Sequence, residues 1–261
     1  MDPIYTRENC RLAYQLNWAL SVFWHGPVEA GIWLADLQDA TEPDGVRVLE
    51  YRLKEAETGQ FLVSTQPGVA PHDMVRCVKG RLQYLVRSGR PKAFRRNYSF
   101  RSVGSAKRDV VEQYVARQHE HHPMADPETQ DLLGRFRIVR PEVDLSKPRV
   151  SSHSRFWYNL HVVLVNDGRF RETDEGTLDR LLDMILRVAR ARGHLLSRAA
   201  VLADHLHLAL GCGPSEAPCD VVLAYMNNLA VAGGVRPIFR FSGYAGTFGE
   251  YDIGTPSFRT P

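Results

Sequence analysis

Residues 203–211 read ADHLHLALG and set His205 and His207 two positions apart inside an apolar segment. Alternate residues of a β-strand point to the same face of a sheet. A strand here would therefore place both imidazoles on one face and the leucines on the other. Two adjacent imidazoles are either half of a metal site or an unfavourable way to fill a core, because buried polar rings need partners.

The composition is that of a soluble globular protein. The 261 residues are 44% hydrophobic and 24% charged, enough for one large domain or two small ones. No apolar run approaches the roughly 20 residues that cross a bilayer, and the first residues show no signal-peptide pattern. The cysteines form no CxxC pair, so we interpret them as reduced thiols of a cytosolic protein.

An internal repeat divides the chain. PGVAPHDMVRCVKGRLQYL (67–85) parallels PSEAPCDVVLAYMNNLAVA (214–232), and RPKAFRRNYSFRSVG (90–104) parallels RPIFRFSGYAGTFG (236–249). The sequence therefore predicts two copies of one unit. We place the first copy at 1–121, a linker with one short strand at 122–154, and the second copy at 155–261.

Hydrophobic periodicity predicts a β-α-β-β-α order in each copy. In the second copy, the predicted strands cover 156–165, 195–203 and 204–211. The predicted helices cover 175–193, ending at Gly193, and 217–234, with Asp220 as N-cap. The first copy has a predicted helix at 28–40 and strands at 46–53 and 59–67. The predicted fold class is α+β, with two tandem ferredoxin-like domains whose antiparallel sheets carry helices on one face.

The repeat also bears on the histidine pair, because the first copy has Thr58 where the second has His205, and Gln60 where it has His207. The fold therefore does not require these histidines, which favours a metal or catalytic role over two satisfied core histidines.

A second histidine cluster, QHEHHP (118–123), falls in a predicted helix. Positions two apart on a helix diverge by about 200°, so we interpret His119 and His121 as an exposed helix end.

A basic stretch at 75–108 predicts a nucleic-acid surface. It holds eleven Lys or Arg residues and no Asp or Glu, and aromatic residues lie among them. Cations that neutralise phosphates and rings that stack on bases are typical of such surfaces; a merely solvated basic face is the alternative. The candidate DNA-binding residues are Arg76, Lys79, Arg81, Arg87, Arg90, Lys92, Arg95, Arg96, Tyr98, Arg101, Lys107 and Arg108.

The order of these motifs resembles the HUH single-strand DNA transposases with one catalytic tyrosine. These are the small insertion-sequence TnpA enzymes and the REP-associated tyrosine transposases. Their pattern is a strand with His-hydrophobic-His, a helix, a Tyr-to-Gly turn, and a last helix with Tyr-x-x-x-Gln. The first copy ends in SAKRDVVEQYVARQ (105–118), which matches this last helix through Tyr114 and Gln118. The second copy matches the histidine strand.

The resemblance implies one composite site. Family enzymes combine the histidines of one subunit with the tyrosine helix of the other, so this chain resembles such a dimer fused into one polypeptide, a monomeric pseudo-dimer. Tyr114 would be the nucleophile that forms a 5′-phosphotyrosine. His205, His207 and Gln118 would hold one divalent cation, Mg²⁺ or Mn²⁺. The implied partner is single-stranded DNA with hairpin ends. The resemblance also implies a location in the bacterial cytoplasm and no membrane partner.

The sequence leaves other functions open. One is a protein that binds DNA hairpins without cutting them, and another is an enzyme that nicks replication origins or telomere-like ends. An RNA-binding ferredoxin-like module is a third, although paired aromatic strand motifs are not evident. Tyr251 is a lesser candidate nucleophile, because the glycine and proline around it oppose a helix.

Overall fold

The computed structural model describes residues 2–26, 32–121, 124, 126–234 and 236–250. The first copy contains β1 (Arg11–Gln15), β2 (Asn17–Trp24), α1 (Leu34–Thr41), β3 (Val46–Glu55), β4 (Thr58–Thr65), α2 (Pro71–Val86), β5 (Phe94–Val103), α3 (Arg108–Ala116) and α4 (Gln118–His121). Between the copies lie α5 (Pro127–Arg135), β6 (Arg137–Val139) and β7 (Arg149–Val150). The second copy contains β8 (Ser154–Trp157), β9 (Asn159–Asn166), α6 (Glu175–Arg192), β10 (Leu195–Val201), β11 (His205–Gly211), α7 (Pro218–Ala232) and β12 (Phe239–Thr247).

Each copy builds a four-stranded antiparallel sheet in the ferredoxin-like order. The first copy gives β3-β4-β2-β5 and the second gives β10-β11-β9-β12. In both, the first and third strands of the unit lie in the centre. The predicted α+β class with ferredoxin-like units is therefore confirmed.

The two sheets exchange edge strands. β1 pairs in parallel with β12 of the second copy, and β8 pairs in parallel with β5 of the first. Each exchanged strand continues into a central strand of its own copy after one buried residue, Leu16 or Tyr158. The single strand predicted at 156–165 is therefore wrong, because the chain leaves one sheet and enters the other at Tyr158. One contiguous cluster of buried side chains runs through both copies.

Hydroxyl groups at the crossing of the two sheets form the same contacts from both sides. The Ser102 hydroxyl accepts the Asn159 N–H at 3.0 Å, and the Thr247 hydroxyl accepts the Asn17 N–H at 2.8 Å. Each hydroxyl also donates to a backbone carbonyl at the end of the opposite copy's last strand, at 2.8 and 2.6 Å. These buried groups stay hydrogen-bonded only while both copies are docked.

Gly104 → Ala is expected to destabilise the fold at this crossing. A Cβ at Gly104 would lie 2.3 Å from the carbonyl oxygen of Thr247, which belongs to backbone that the crossing holds in place. The strands would have to separate, so we expect a loss of about 2 kcal/mol in the free energy of unfolding. Urea denaturation followed by circular dichroism measures it.

The control for this prediction is Gly80 → Ala, in the middle of α2. A Cβ there has nothing within 4 Å, so the helix accepts it without a clash. Replacing an interior helix glycine should stabilise the protein by up to about 1 kcal/mol. Equal effects of the two substitutions would show that the approach at Gly104 does not constrain the crossing.

Helix ends follow their local signals with one exception. Gly193 ends α6 in the left-handed conformation with φ +67°, as predicted. The N-cap of α7 is Ala217, not Asp220, because Pro218 occupies the first helical position, which proline favours. Asp220 instead pairs with Arg7 at 2.6 Å.

Two further predictions meet the structure only in part. The helix predicted at 28–40 begins in residues outside those described, and α1 covers the rest. The segment 122–154, predicted as a linker with one short strand, contains α5 and two short strands within its described residues. Its strand β6 extends the second copy's sheet beside β10. No described helix is both long and apolar enough to span a membrane.

Candidate active site

The histidine strand β11 lies second from the edge of its four-stranded unit. Leu206 and Leu208 point into the core between the sheet and helices α6 and α7, and both are buried. His205 and His207 therefore occupy the opposite face of the sheet. Their ring centroids lie 5.1 Å apart, and both rings are buried.

Helix α3 of the first copy covers this face of the second copy's sheet. Val111 and Val115 of α3 form a buried cluster with Ala200 of β10 and Ala209 of β11. The side chains of these two alanines are small, so a helix can approach this face of the sheet closely. The packing is why a helix from the first copy ends next to a strand of the second.

The Tyr114 side chain of α3 lies next to the histidines. Its ring centroid lies 5.6 Å from that of His207, and the two rings are nearly perpendicular. The side chain is 43% exposed, so a polymer in solution can reach the phenol. The structure thus brings together a tyrosine and a histidine that lie 93 positions apart, one from each copy.

Gln118 is placed by a break in the helix. The sequence predicts one continuous helix through Tyr114 and Gln118, but α3 ends at Ala116, and Arg117 leaves the helical region at φ −108° and ψ 15°. The Gln118 amide donates to the Tyr114 carbonyl at 3.0 Å, which ties its side chain to the tyrosine helix. Gln118 is fully buried, and its Oε1 has no hydrogen-bond partner among the described residues.

The His205 ring is oriented by a carboxylate. Its Nδ1 lies 2.6 Å from Oδ1 of Asp204, and the other oxygen of Asp204 accepts a bond from Arg169 at 3.1 Å. Partial burial acts to raise the pKa of Asp204, but the bonds from His205 and Arg169 outweigh it and lower the pKa. Asp204 is thus a carboxylate that fixes the ring, and the nitrogen that His205 can turn to a ligand is Nε2.

A third histidine joins the pair. His161 lies on β9, and its Nε2 is 3.0 Å from Nδ1 of His207. Burial lowers the pKa of His161 to about 4, so its ring is neutral at neutral pH. The Tyr114 ring is 6.1 Å from the His161 ring, and the Tyr244 ring is 6.0 Å from it on β12.

Sequence reasoning singled out neither His161, Tyr244 nor His121 as a site residue. The sequence predicts that His121 lies at an exposed helix end, and it is exposed, but its ring lies 5.8 Å from that of Tyr114. His161 shares the alternation of NLHVVLV (159–165), a signal that it faces away from the core. Only strand register shows that it lies beside His207. Tyr251 lies outside the described residues.

The described residues contain no group of three or more His, Cys, Asp or Glu side chains arranged to hold a metal ion. A cation here would therefore need an amide oxygen in addition to imidazoles. The buried Oε1 of Gln118 without a partner is such a donor. His205, His207 and Gln118 thus have the donor types, two imidazoles and one amide oxygen, that fit such a cation.

Most of the predicted DNA-binding cations have internal partners. Acidic side chains outside 75–108 fold back onto this stretch and form ion pairs with four of its arginines. The pairs are Arg76 with Asp73, Arg81 with Asp44, Arg95 with Glu57, and Arg108 with Glu112. The basic character of the stretch is therefore smaller in the folded chain than in the sequence.

Three other predicted residues are also used within the fold. The Lys79 ammonium donates to the Arg95 carbonyl at 2.9 Å, and burial lowers its pKa. Arg90 donates to the Gly26 carbonyl at 3.4 Å. The Arg101 guanidinium lies 4.5 Å from the centre of the Trp157 ring. These contacts make the three side chains parts of the fold rather than mobile surface cations.

The four remaining predicted cations have no ion pair with a described carboxylate. Arg87, Lys92, Arg96 and Lys107 are all exposed, and the Arg87 guanidinium stacks 3.9 Å above the Tyr84 ring. Tyr98 is half-buried beside Phe100. Asp44, Asp73, Arg76 and Arg81 all line a cavity of 640 Å³ along α2, so acidic and basic groups share it. The four exposed cations remain the strongest candidates for phosphate contacts.

No protein-family model and no curated protein matches the chain. Among solved structures, a REP-associated tyrosine transposase bound to a REP hairpin is 14% identical, covers 36% of this chain, and has a TM-score of 0.32. The chain spans 57% of that protein's length. A Deinococcus radiodurans R1 protein assigned as a transposase is 19% identical over 41% of this chain and 92% of its own, with a TM-score of 0.30. Both TM-scores are below 0.5, so any function proposed for this chain rests on its own residues.

Proposed function

We propose that the protein cleaves and rejoins single-stranded DNA through a covalent bond to Tyr114. One observation carries the proposal: the Tyr114 ring of the first copy lies 5.6 Å from the His207 ring of the second. An exposed phenol next to paired imidazoles provides a nucleophile and a place for a phosphate-binding cation. We further propose that the chain is a fused dimer that keeps one of its two sites, since Thr58 and Gln60 replace the histidines in the first copy.

His205, His207 and Gln118 would hold the cation, Mg²⁺ or Mn²⁺. Asp204 fixes the His205 ring, and the Gln118 amide is held by the Tyr114 carbonyl. A cation bound there would supply Lewis-acid chemistry, polarising the scissile phosphate and stabilising the departing 3′-oxygen. Because the Gln118 amide is hydrogen-bonded to the Tyr114 carbonyl, the distance between this cation site and the nucleophile would stay fixed.

The reaction is a transesterification. Oη of Tyr114 attacks the phosphorus, and the bond from phosphorus to the 3′-oxygen breaks. The products are a 5′-phosphotyrosine and a free 3′-OH, which takes the proton that the phenol loses. A second 3′-OH reverses the step on a new strand, so rejoining needs no ATP.

Binding of DNA would fall mainly to the first copy. Its exposed cations Arg87, Lys92, Arg96 and Lys107 would contact phosphates and position the strand without reading its sequence. The second copy has only Arg236 and Arg240 as basic residues between 221 and 249. We therefore propose one strongly held hairpin or end per chain, with hairpin-ended single-stranded DNA as the partner.

The test uses the purified chain and a pool of single-stranded oligonucleotides that carry one hairpin and randomised flanks. With Mg²⁺ or Mn²⁺, the 3′-labelled strand should acquire a covalent protein adduct on a denaturing gel. The 5′-labelled strand should shorten and end in an extendable 3′-OH. Tight binding that needs no metal and yields no adduct would instead identify a hairpin-binding protein that does not cut.

Removing three exposed cations together, in Arg87→Ala, Lys92→Ala and Arg96→Ala, should weaken DNA binding uniformly across sequences. Each lost phosphate contact should reduce the slope of log affinity against log salt by roughly 0.7 to 1. Fluorescence anisotropy with a labelled hairpin oligonucleotide, at several salt concentrations, measures both effects.

The matched control removes two cations that are already ion-paired, in Arg76→Ala and Arg81→Ala. Asp73 and Asp44 hold these arginines at 3.1 and 2.9 Å, so their loss should change the salt slope less per residue. If the paired arginines prove the more important, the DNA path runs along the α2 cavity instead.

A further inference from the structure

We infer that His161 is a positioning residue that fixes the tautomer of His207 and so directs Nε2 of His207 toward the cation. The inference rests on the proposed function, because it concerns the same site. The observation behind it is the 3.0 Å contact between Nε2 of His161 and Nδ1 of His207. The ring centroids are 5.2 Å apart and the ring planes differ by 19°, so the two nitrogens face each other along the edges of the rings, where the N–H and the lone pair lie.

The hydrogen bond allows only one arrangement of protons if His207 binds a cation through Nε2. A neutral imidazole has one N–H and one acceptor nitrogen. The metal-binding nitrogen must be the one without a proton, so Nδ1 of His207 carries the N–H. This N–H donates a hydrogen bond to Nε2 of His161. His161 then carries its own proton on Nδ1. For His205, the Asp204 carboxylate has the same effect.

The strand register gives His161 the room to reach His207. His161 lies directly opposite Ala209 of β11 and Gly246 of β12. These two small residues leave space on both sides of the imidazole. A Cβ at Gly246 would meet the Tyr244 ring, which stands next to His161. The ring is thus held among His207, Tyr114 and Tyr244.

The first copy, which lacks the histidine pair, shows which residue replaces His161 there. β4 corresponds to β11, and Leu62 of β4 corresponds to Ala209. Leu62 pairs with Ala19 just as Ala209 pairs with His161. The three histidines 161, 205 and 207 thus correspond to Ala19, Thr58 and Gln60. The first copy folds into the same sheet with all three replaced, which links His161 to the pair rather than to the fold.

The test compares His161→Leu with His161→Gln. Leucine removes the acceptor, whereas the glutamine amide oxygen can accept the same N–H. Long-range ¹⁵N–¹H NMR of histidine-labelled, metal-free protein reports which nitrogen of His207 is protonated, and His207→Gln assigns the signal. We expect Nδ1–H in the wild type and in His161→Gln, and Nε2–H in His161→Leu.

A second readout is Mn²⁺ affinity, measured by calorimetry on the whole chain without DNA. Removing a group that orients a metal-binding histidine typically weakens binding by about 10- to 100-fold. We expect that loss for His161→Leu, and binding close to the wild type for His161→Gln. Melting temperatures of the two variants check that the fold is kept.

The outcomes separate the inference from the proposed function. A wild-type His207 protonated on Nε2 would overturn the inference, and so would Mn²⁺ affinity unchanged in His161→Leu. Either result leaves DNA cleavage by Tyr114 standing. If the wild type has the expected tautomer but forms no DNA adduct, the proposed function fails and the positioning role of His161 stands.

Discussion

Tyr114→Phe is expected to abolish the covalent DNA adduct and to lower strand cleavage by at least about 10³-fold, since a lost nucleophile leaves only the contribution of the surrounding site. The substitution removes one oxygen from a side chain that is 43% exposed, so folding should not change. DNA affinity should also stay within about twofold, because the proposed phosphate contacts lie in the basic stretch. The measurement is single-turnover cleavage of the selected hairpin oligonucleotide on a denaturing gel.

Two other tyrosines provide the controls for Tyr114→Phe. Tyr84 is 60% exposed on α2 and does not contact the histidines, so Tyr84→Phe should cleave at the wild-type rate. Tyr244 is the demanding control, because its ring lies 6.0 Å from that of His161. If Tyr244→Phe abolished the adduct while Tyr114→Phe kept it, the nucleophile would come from β12 and the second copy alone would hold the site.

The sequence alone predicts the alternation that separates His205 and His207 from the leucines between them. Strand geometry is local, and a period of two needs no knowledge of the partner strands. The internal repeat gives further information, because it shows two sequences that are predicted to form the same sheet. It indicates that Thr58 and Gln60 can replace the histidines without loss of the sheet.

Long-range pairing could not be predicted in this way. The chain turns from one sheet into the other at Leu16 and Tyr158, and nothing in either apolar run marks the change. The contact between His161 and His207 depends on which strands are neighbours and in what register, and register is set by the whole sheet. The same holds for the small residues Ala200 and Ala209 that admit α3.

Charge is the clearest case in which a local pattern gives the wrong impression. The stretch 75–108 contains no acidic residue, yet three carboxylates from elsewhere reach it: Asp44 from between α1 and β3, Glu57 from between β3 and β4, and Glu112 from α3. Counting charges along a sequence ignores such partners. Exposed ion pairs contribute little to stability, but they reduce the field that a phosphate would meet.

His207→Ala is expected to lower cleavage by at least about 100-fold, more than the loss of a residue that only orients a metal ligand. The matched control is Gln60→Ala, at the corresponding position of the first copy. Gln60 lies in the first copy's sheet, whereas α3 packs on the second copy's sheet, so its loss should leave cleavage unchanged. Equal effects of the two substitutions would show that His207 matters no more to cleavage than its counterpart in the first copy, and would contradict a site built on the second copy's histidines.

Mixing two inactive variants tests where the site is assembled. Within one chain, α3 packs on the sheet that carries His207, so Tyr114 and His207 meet intramolecularly. Tyr114→Phe and His207→Ala should therefore stay inactive when mixed, because neither chain contains both groups. If chains exchanged α3 between them, the mixture would regain about a quarter of the wild-type activity, since half of the dimers would hold one intact site.

The mixing experiment also decides what the fused arrangement does for the reaction. A dimer of single copies has two equivalent sites and separates on dilution, whereas a fused chain keeps one site at any concentration. Cleavage per chain should therefore be independent of protein concentration across the nanomolar to micromolar range. A rate per chain that falls on dilution, together with activity regained on mixing, would place Tyr114 and His207 on different molecules.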